Sequence, residues 1–353
     1  MLRSISSLVA IMAFAVTAAA PSAPSPATSV LRERGAVALD RNTLLRDGRP
    51  WVPQGVVQIA FVAPPAAQEG VFKAAYHNYS PNHYNEMRRF GIDSVRIQMS
   101  QPGLDPQDRL FDAAFRDRLI SAVRAARAVG LTVLLSVQDE AQSGDPTPAR
   151  LPDDGTRRVW REMAPLFAND AGVMYELLNE PQPAGTPQNW RAWREAMNAT
   201  ITVVRRAGAR NVVIADGLLS GERLSGAPSL DDPLRLVVYA SHPYAHGAAG
   251  LTGADWDRKF GNFAQTHPVI VTEWTTSHNF YCDAATAVST RRFLAYLKGR
   301  RIGLMAFAWD FSGTRFGSAF QGFPPQPTAY GQRRCGDEGF GPGADIVNVY
   351  TSR

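Results

Sequence analysis

The sequence lacks several features that mark common classes of protein. Only two cysteines, Cys282 and Cys335, occur among the 353 residues, and two cysteines so placed do not make a metal site. No glycine-rich phosphate fingerprint follows the first predicted strand, and no Gly-x-Ser-x-Gly motif occurs. The first absence argues against a nucleotide-binding open sheet, and the second removes support for a lipid or ester hydrolase.

Lysine is also scarce, so arginine carries nearly all of the positive charge. The formal net charge is +5 at pH 7, and only Lys73, Lys259 and Lys298 are lysines. The arginines are scattered along the chain, apart from short doublets on predicted helices, which is typical of a solvated helix face. We therefore expect no nucleic-acid partner.

Long apolar runs are absent except for a short one near the N-terminus. Arg3 precedes an apolar stretch over 8–16, and Thr17-Ala18-Ala19-Ala20 follows it. This pattern predicts a secretory signal peptide over residues 1–19, with an uncleaved anchor as the alternative. Residues 20–34, rich in Pro, Ala and Ser, then form a predicted linker, and 35–353 the folded domain. We expect a secreted protein, extracellular or periplasmic, with no membrane association after signal cleavage, and a monomer.

The two cysteines lie in loop-like sequence, and secretion permits disulfides. The favoured interpretation is a Cys282–Cys335 bridge that ties two loops together. Two free thiols are the alternative.

Eight short apolar runs alternate with helical patterns along the body of the chain. The runs are nearly continuous in Val, Ile, Leu and Ala, as expected for parallel strands buried on both faces: 55–60, 94–99, 132–137, 173–178, 212–215, 236–240, 269–272 and 304–308. Helical patterns cover 112–129, 187–207, 255–263 and 284–297. This order predicts an α/β fold, a (β/α)₈ TIM barrel in one catalytic domain, with a doubly wound sheet as the alternative. After Asp310 the chain is rich in Gly and Pro, and we expect no final helix there.

Polar and aromatic residues gather where the predicted strands end. Active sites of such barrels are built at this face, so the pattern predicts a site there. The residues, in chain order, are Arg96 and Gln98, Gln138-Asp139-Glu140, Asn179-Glu180, Asp216, His242 and Tyr244, Glu273-Trp274, and Trp309-Asp310.

Two of these residues form a pair with recognisable chemistry. Glu180 follows the fourth strand and Glu273 the seventh, which places them on roughly opposite sides of the barrel mouth. Two carboxyl groups that face each other across a sugar can break a glycosidic bond. One, protonated, assists the leaving oxygen, and the other, ionised, attacks the anomeric carbon. The pair therefore predicts glycosidase chemistry.

Five segments in chain order resemble glycoside hydrolase family 5, the cellulase family. They are Ser94-Val95-Arg96, the run Tyr175-Glu176-Leu177-Leu178-Asn179-Glu180-Pro181, Ser241-His242-Pro243-Tyr244, Ile270-Val271-Thr272-Glu273-Trp274 and Ala306-Phe307-Ala308-Trp309. The likeness runs from about residue 50 to 310. It implies a retaining mechanism with Glu180 as acid/base and Glu273 as nucleophile. We expect no cofactor and no metal, since the spacings of His and carboxylate residues show no metal motif.

The resemblance also implies roles for neighbouring polar residues. Arg96 would hold the nucleophile as an anion, and Asn179 would bind the sugar 2-hydroxyl. His242 and Tyr244 would support the acid/base and the nucleophile respectively. The alternatives are a core ion pair for Arg96 and a hydrogen-bonded core position for His242.

Aromatic residues and departures from the family pattern bear on the substrate. Trp309 would form the stacking floor under the sugar, with core packing as the alternative, and Trp274 is a further stacking candidate. Gln138 stands at or near the position of a usual histidine, and the first strand lacks the usual Gly-Val-Asn. A long loop over 61–80 could line a sugar groove with aromatic faces.

These features together imply hydrolysis of a β-linked polysaccharide or oligosaccharide with net retention. The expected substrate is a β-1,4-glucan cut by an endo-acting cleft. β-Mannan, β-1,3-glucan and transglycosylation remain alternatives within the family, and a non-catalytic carbohydrate-binding barrel is the alternative of another class.

Overall fold

The structure is a computed structural model that describes residues 34–244, 251–275, 281–282, 284–310, 333–334 and 343–352. The predicted signal peptide, most of the linker and Cys335 lie outside these residues, and so does the side chain of Cys282. The Cys282–Cys335 bridge therefore stays a prediction.

Eight parallel strands close into a barrel in which each strand pairs with its neighbours along the chain and the last pairs with the first. The strands are β1 (Gln54–Phe61), β2 (Ser94–Ser100), β3 (Thr132–Gln138), β4 (Val173–Glu176), β5 (Val213–Asp216), β6 (Val237–Ser241), β7 (Val269–Trp274) and β8 (Gly303–Ala306). The predicted (β/α)₈ barrel is confirmed. On its shorter path round the barrel, β4 is separated from β7 by β5 and β6.

Burial explains why these strands were visible as apolar runs. Every residue of six strands is buried, and β1 and β6 differ only at their first residue. Side chains on one face fill the barrel, and those on the other pack against helices, so neither face can be polar without a partner.

Nine α-helices accompany the strands in the part of the chain that the structure describes. They are α1 (Gly70–Asn78), α2 (Asn82–Arg89), α3 (Gln101–Leu104), α4 (Ala113–Ala128), α5 (Asp154–Met163), α6 (Pro187–Arg206), α7 (Gly253–Trp256), α8 (Ala284–Arg300) and α9 (Gly343–Thr351). No helix among these residues is long and apolar enough to cross a membrane.

Two predicted helices have the expected caps, and a third was predicted too long. Asp112 accepts a hydrogen bond from the backbone of the first turn of α4, and Thr186 does the same for α6. The prediction over 255–263 is wrong in part. A capping box at Thr252 starts α7 at Gly253, and after Trp256 the helical chain widens into a π-helical turn over Asp257–Gly261.

The expectation of no final helix is also wrong. Ile346 and Tyr350 lie one turn apart on α9 and are both buried. The Tyr350 hydroxyl lies 2.9 Å from the Gly55 carbonyl oxygen and 3.0 Å from that of Leu304. The helix is therefore held against both strands that close the barrel, near their N-terminal ends.

A small sheet that the sequence patterns did not predict covers the same end of the barrel. Its antiparallel strands are Val37–Asp40, Thr43–Arg46 and Arg49–Pro50. The Val37 amide donates to the Ala171 carbonyl, 2.9 Å away and just before β4 begins. The polar cluster lies at the opposite, C-terminal end.

Candidate active site

Glu180 is held just beyond the end of β4 in an unusual backbone conformation. Its φ is +52°, a left-handed value that costs energy for a residue other than glycine. Its amide donates to Asp216 Oδ2, 3.0 Å away at the end of β5. The preceding amide, that of Asn179, donates to the Val137 carbonyl at 2.7 Å. Bonds to both neighbouring strands thus fix the direction of the Glu180 side chain.

His242 links Glu180 to the barrel interior. Its Nδ1 lies 2.9 Å from Glu180 Oε1, and its Nε2 lies 2.9 Å from Thr272 Oγ1. Because the Thr272 hydroxyl donates to Glu176 at 2.9 Å, Nε2 must carry a proton and donate to Thr272. One proton is therefore shared between Nδ1 and Glu180. Burial lowers the pKa of His242, but the carboxylates of Asp216, Glu176 and Glu180 outweigh burial and raise it well above its usual value.

Glu273, in contrast, is surrounded by hydrogen-bond donors. Arg96 Nη1 lies 2.8 Å and Gln98 Nε2 2.9 Å from its Oε2, and the Tyr244 hydroxyl donates to Oε1 at 2.9 Å. Burial raises the pKa of Glu273 above its usual value, with the charge of Glu180 acting in the same direction, whereas His242, Arg96 and Tyr244 limit the rise. Three donors on two oxygens stabilise the anion in a buried position.

Arg96 is fully buried and joins the nucleophile candidate to two further side chains. Its Nε and Nη2 bind the two oxygens of Glu176 at 2.6 and 3.0 Å, and Nη2 also donates to Asn179 Oδ1 at 2.5 Å. Burial lowers the pKa of Arg96, but the charges of Glu176 and Glu273 outweigh burial, so the pKa is raised. Burial raises the pKa of Glu176, but Arg96 outweighs burial and lowers it. The guanidinium is a permanent cation below the site.

The two predicted catalytic carboxyl groups lie close together. One ligand atom each of Glu180, His242 and Glu273 fall within 4.8 Å of one another, and so do atoms of Glu176, Asp216 and His242. Each of these two sets of three side chains has a spacing that could hold a cation. The prediction that the site needs no metal stays a prediction.

A third carboxyl group, to which the sequence patterns gave no role, lies beside this pair. Glu140 Oε1 accepts from Asn179 Nδ2 at 2.6 Å, and its Oε2 accepts from Gln142. Gln138, only 2% exposed, lies near the same carboxyl group and helps to lower its pKa. Burial raises the pKa of Glu140, whereas the hydrogen bonds from Gln142 and Asn179 lower it and the charge of Glu273 raises it further.

Trp309 and Trp274, the two residues predicted to stack on a sugar, are both buried. Trp309 is 0% exposed, with its ring 6.2 Å from that of His83, and Trp274 is 4% exposed, with its ring 4.3 Å from Phe293 of α8. Stacking on a sugar needs an exposed ring face, so these placements give the two predictions no support. Phe307, half-buried at the end of β8, is the partly exposed aromatic residue next to them.

The loop over 61–80 packs largely inward. Phe61 and Tyr76 are buried with their rings 6.1 Å apart. Phe72 is partly exposed and lines a surface cavity of about 590 Å³ together with Arg109 and Gln142. Because Gln142 also donates to Glu140, this cavity adjoins the site.

Residues 64–313 match the family model of cellulases, glycosyl hydrolase family 5. The chain belongs to this family. Among curated cellulases, 136 residues are 26% identical to cellulase CelDZ1 of Thermoanaerobacterium sp, covering 35% of this chain and 34% of that protein. A stretch of 188 residues is 27% identical to endoglucanase A of Ruminococcus albus, covering 47% and 51%. The chain thus spans about a third and about half of these relatives.

Solved structures of cellulase-family proteins share the whole barrel. The catalytic domain of Thermobifida fusca endoglucanase Cel5A superposes with a TM-score of 0.66 at 19% identity, covering 91% of this chain and 98% of that one. The β-glucanase SdGluc5_26A of Saccharophagus degradans, in complex with cellotetraose, gives 0.67 at 18% identity, covering 95% and 98%. At such identities the likeness shows the fold.

Proposed function

We propose that the protein is a retaining glycoside hydrolase that cleaves β-linked glycans, with Glu180 as acid/base and Glu273 as nucleophile. The observation that carries this proposal is the separation of at most 4.8 Å between an oxygen of each carboxyl group. Retaining enzymes hold their carboxyl groups about 5–5.5 Å apart, whereas inverting enzymes need about 6.5–9.5 Å to admit a water molecule. The short separation favours direct attack by a carboxylate.

The different surroundings of the two groups support the division of roles. Glu273, with three donors, is kept as an anion and attacks the anomeric carbon, while the bond to the leaving oxygen breaks. Glu180, whose side chain is 22% exposed and shares a proton with His242, gives that proton to the leaving oxygen. In the second step Glu180 takes a proton from water, whose oxygen attacks the same carbon and releases Glu273.

The proposed substrate is a β-1,4-glucan cut by endo action. Membership of the cellulase family and the names of the endoglucanase relatives support it, as does a related β-glucanase bound to cellotetraose. β-Mannan, β-1,3-glucan and transglycosylation use the same carboxyl pair and are the alternatives.

The test measures turnover and product configuration on tetrasaccharides of β-1,4-glucose, β-1,4-mannose and β-1,3-glucose. We expect cleavage of cellotetraose, with the β-anomer released first in proton NMR spectra. Glu180→Gln and Glu273→Gln should each lose nearly all turnover, whereas Glu195→Gln, an exposed position on α6, should match the wild type. Initial release of the α-anomer contradicts Glu273 as nucleophile, and glycan binding without turnover favours the non-catalytic barrel.

We infer that the enzyme acts outside the cytoplasm as a monomer after removal of residues 1–19, and that Cys282 and Cys335 form a bridge. The N-terminal composition supports export and cleavage, and export permits a disulfide between the two cysteines. The mass of the exported protein, measured with and without reduction and alkylation, tests both the cleavage and the bridge.

A further inference from the structure

Glu140 is a third carboxyl group near the nucleophile, and the proposed mechanism does not use it. It follows β3 and is half-buried. In the part of the chain that the structure describes, no arginine, lysine or histidine forms an ion pair with it. A carboxylate partly withdrawn from water without a cationic partner is costly. A positively charged ligand group in the cleft would offset this cost.

The position of Glu140 relative to the nucleophile follows from two shared side chains. One guanidinium, that of Arg96, binds Glu273 at 2.8 Å and Asn179 at 2.5 Å. The other end of the same Asn179 amide donates to Glu140 at 2.6 Å. Glu140 is therefore linked through one amide group and one guanidinium group to Glu273, which would attack the anomeric carbon. The sugar substituent nearest to that carbon on the ring is the one at carbon 2.

Glu140 has hydrogen-bonding capacity to spare. Asn179 occupies one of its oxygens and Gln142 the other, whereas an ionised carboxylate offers about four acceptor sites. Gln138, 2% exposed, lies beside Glu140, and its Oε1 is buried without a partner among the described residues. A sugar hydroxyl brings a single donor to these acceptors, whereas a protonated amine brings three.

The charge of the cleft points in the same direction. Glu140 and Glu273 both lie at the site, where the buried cation Arg96 is already bound to Glu176 in addition to Glu273, and His242 is already paired with Glu180. Burial and the charge of Glu273 raise the pKa of Glu140, and a cation bound between the carboxylates would lower it again. A cationic ligand group is therefore favoured where these side chains meet.

We propose that Glu140 adapts the sugar subsite to β-1,4-linked glycans with a protonated amine at carbon 2, so that the enzyme also cleaves polymers of glucosamine. This inference rests on the proposed function, because it places the amino sugar at the same carboxyl pair. The ammonium group would bind the partly exposed carboxylate of Glu140 while Glu273 attacks the neighbouring carbon.

The test compares kcat/KM for a β-1,4-glucosamine tetramer with kcat/KM for cellotetraose at mildly acidic pH. Glu140→Gln removes the charge but keeps an oxygen that can accept from Asn179, and Glu195→Gln is the matched surface control. We expect the wild type to cleave both tetramers. The ratio should fall at least about tenfold in Glu140→Gln, the loss of one charge-assisted hydrogen bond, and stay unchanged in the control. Cleavage of cellotetraose alone by the wild type, or an unchanged ratio in Glu140→Gln, overturns the inference.

Binding to a variant without turnover separates this inference from the proposed function. Glu180→Gln is titrated by calorimetry with the glucosamine tetramer and with its neutral N-acetylated form, with and without Glu140→Gln. The inference predicts at least about tenfold weaker binding of the charged tetramer alone when Glu140 is changed. If the wild type cleaves no glycan, the proposed function fails, and this binding difference still decides the inference: its presence supports a cationic sugar subsite, and its absence overturns it. Thermal unfolding of each variant checks that it is folded.

Discussion

Replacing Arg96 by lysine tests how the site is organised around one guanidinium. Arg96→Lys keeps the positive charge but removes the planar fork, and a single ammonium cannot reach every present partner. Those partners are both oxygens of Glu176, one oxygen of Glu273, Asn179 Oδ1 and Ser136 Oγ. We expect the ammonium to stay with Glu176, because that carboxylate is fully buried.

The size of the effect follows from the two contacts that would be lost. Glu273 and Asn179 each lose a hydrogen bond from a charged donor, worth about 1.5–3 kcal/mol. About 2 kcal/mol for each bond gives roughly 4 kcal/mol, which corresponds to about a thousandfold in kcat/KM at about 1.4 kcal/mol per factor of ten. Because Glu273 loses its direct contact with the cation that favours its ionised form, its pKa should rise further.

The assay is kcat/KM for cellotetraose as a function of pH. The nucleophile must be ionised, so a higher pKa of Glu273 moves the acidic limb of the profile to higher pH. Arg191→Lys, at an exposed position on α6, is the matched control and should leave both quantities unchanged. Activity of Arg96→Lys within fivefold of the wild type, with an unmoved acidic limb, would refute this reasoning.

Three further predictions concern stability, and urea unfolding checks each of them. Burial raises the pKa of Asp139 from 3.8 to about 7, so the folded state keeps a proton that the unfolded chain releases. Stability should therefore decline as pH rises through this range, and Asp139→Asn should flatten the decline; an equally steep decline would contradict it. Tyr350→Phe should lower the free energy of unfolding by about 1–2 kcal/mol, because two buried carbonyls lose the hydroxyl donor that they share. Because Tyr350 lies at the end of the barrel opposite the site, kcat should be unchanged. Gly55→Ala should destabilise the protein by about 1–3 kcal/mol, since the new Cβ would lie 2.8 Å from the Ser94 carbonyl oxygen. Gly299→Ala is the control: its Cβ would have no neighbour within 4 Å, so this change should be neutral or stabilise the protein by up to about 1 kcal/mol. Equal effects of the two glycine substitutions would contradict the packing argument.

The barrel was predictable because its strands are buried on both faces. Such strands read as continuous apolar runs, and each of the eight runs became a strand. The exact ends of the strands were less predictable. Gln138, Asp216 and Ser241 are polar yet belong to their strands, since their backbones pair within the barrel while their side chains lie at its mouth. The final helix α9 was missed because its anchor, Tyr350, depends on two strands far away in the chain.

The meeting of Glu180 and Glu273 was predictable because Glu180 follows β4 and Glu273 lies at the end of β7, at the face where barrel sites form. Glu176 and Thr272 were missed, although a carboxylate inside an apolar strand needs a buried partner and was a usable signal. The orientations of Trp274 and Trp309 were not predictable, because spacing along the chain does not specify on which side of the barrel wall a side chain near a strand end packs.

Covalent labelling tests the central claim most directly. An activated 2-fluoro cellobioside should form a glycosyl-enzyme that hydrolyses slowly, because the fluorine destabilises the cationic transition states of both steps. The account predicts that intact mass rises by one glycosyl unit and that peptide mapping places this unit on Glu273, with no labelling of Glu273→Gln. A label on any other residue, or full turnover of the reagent with no covalent species, would contradict it.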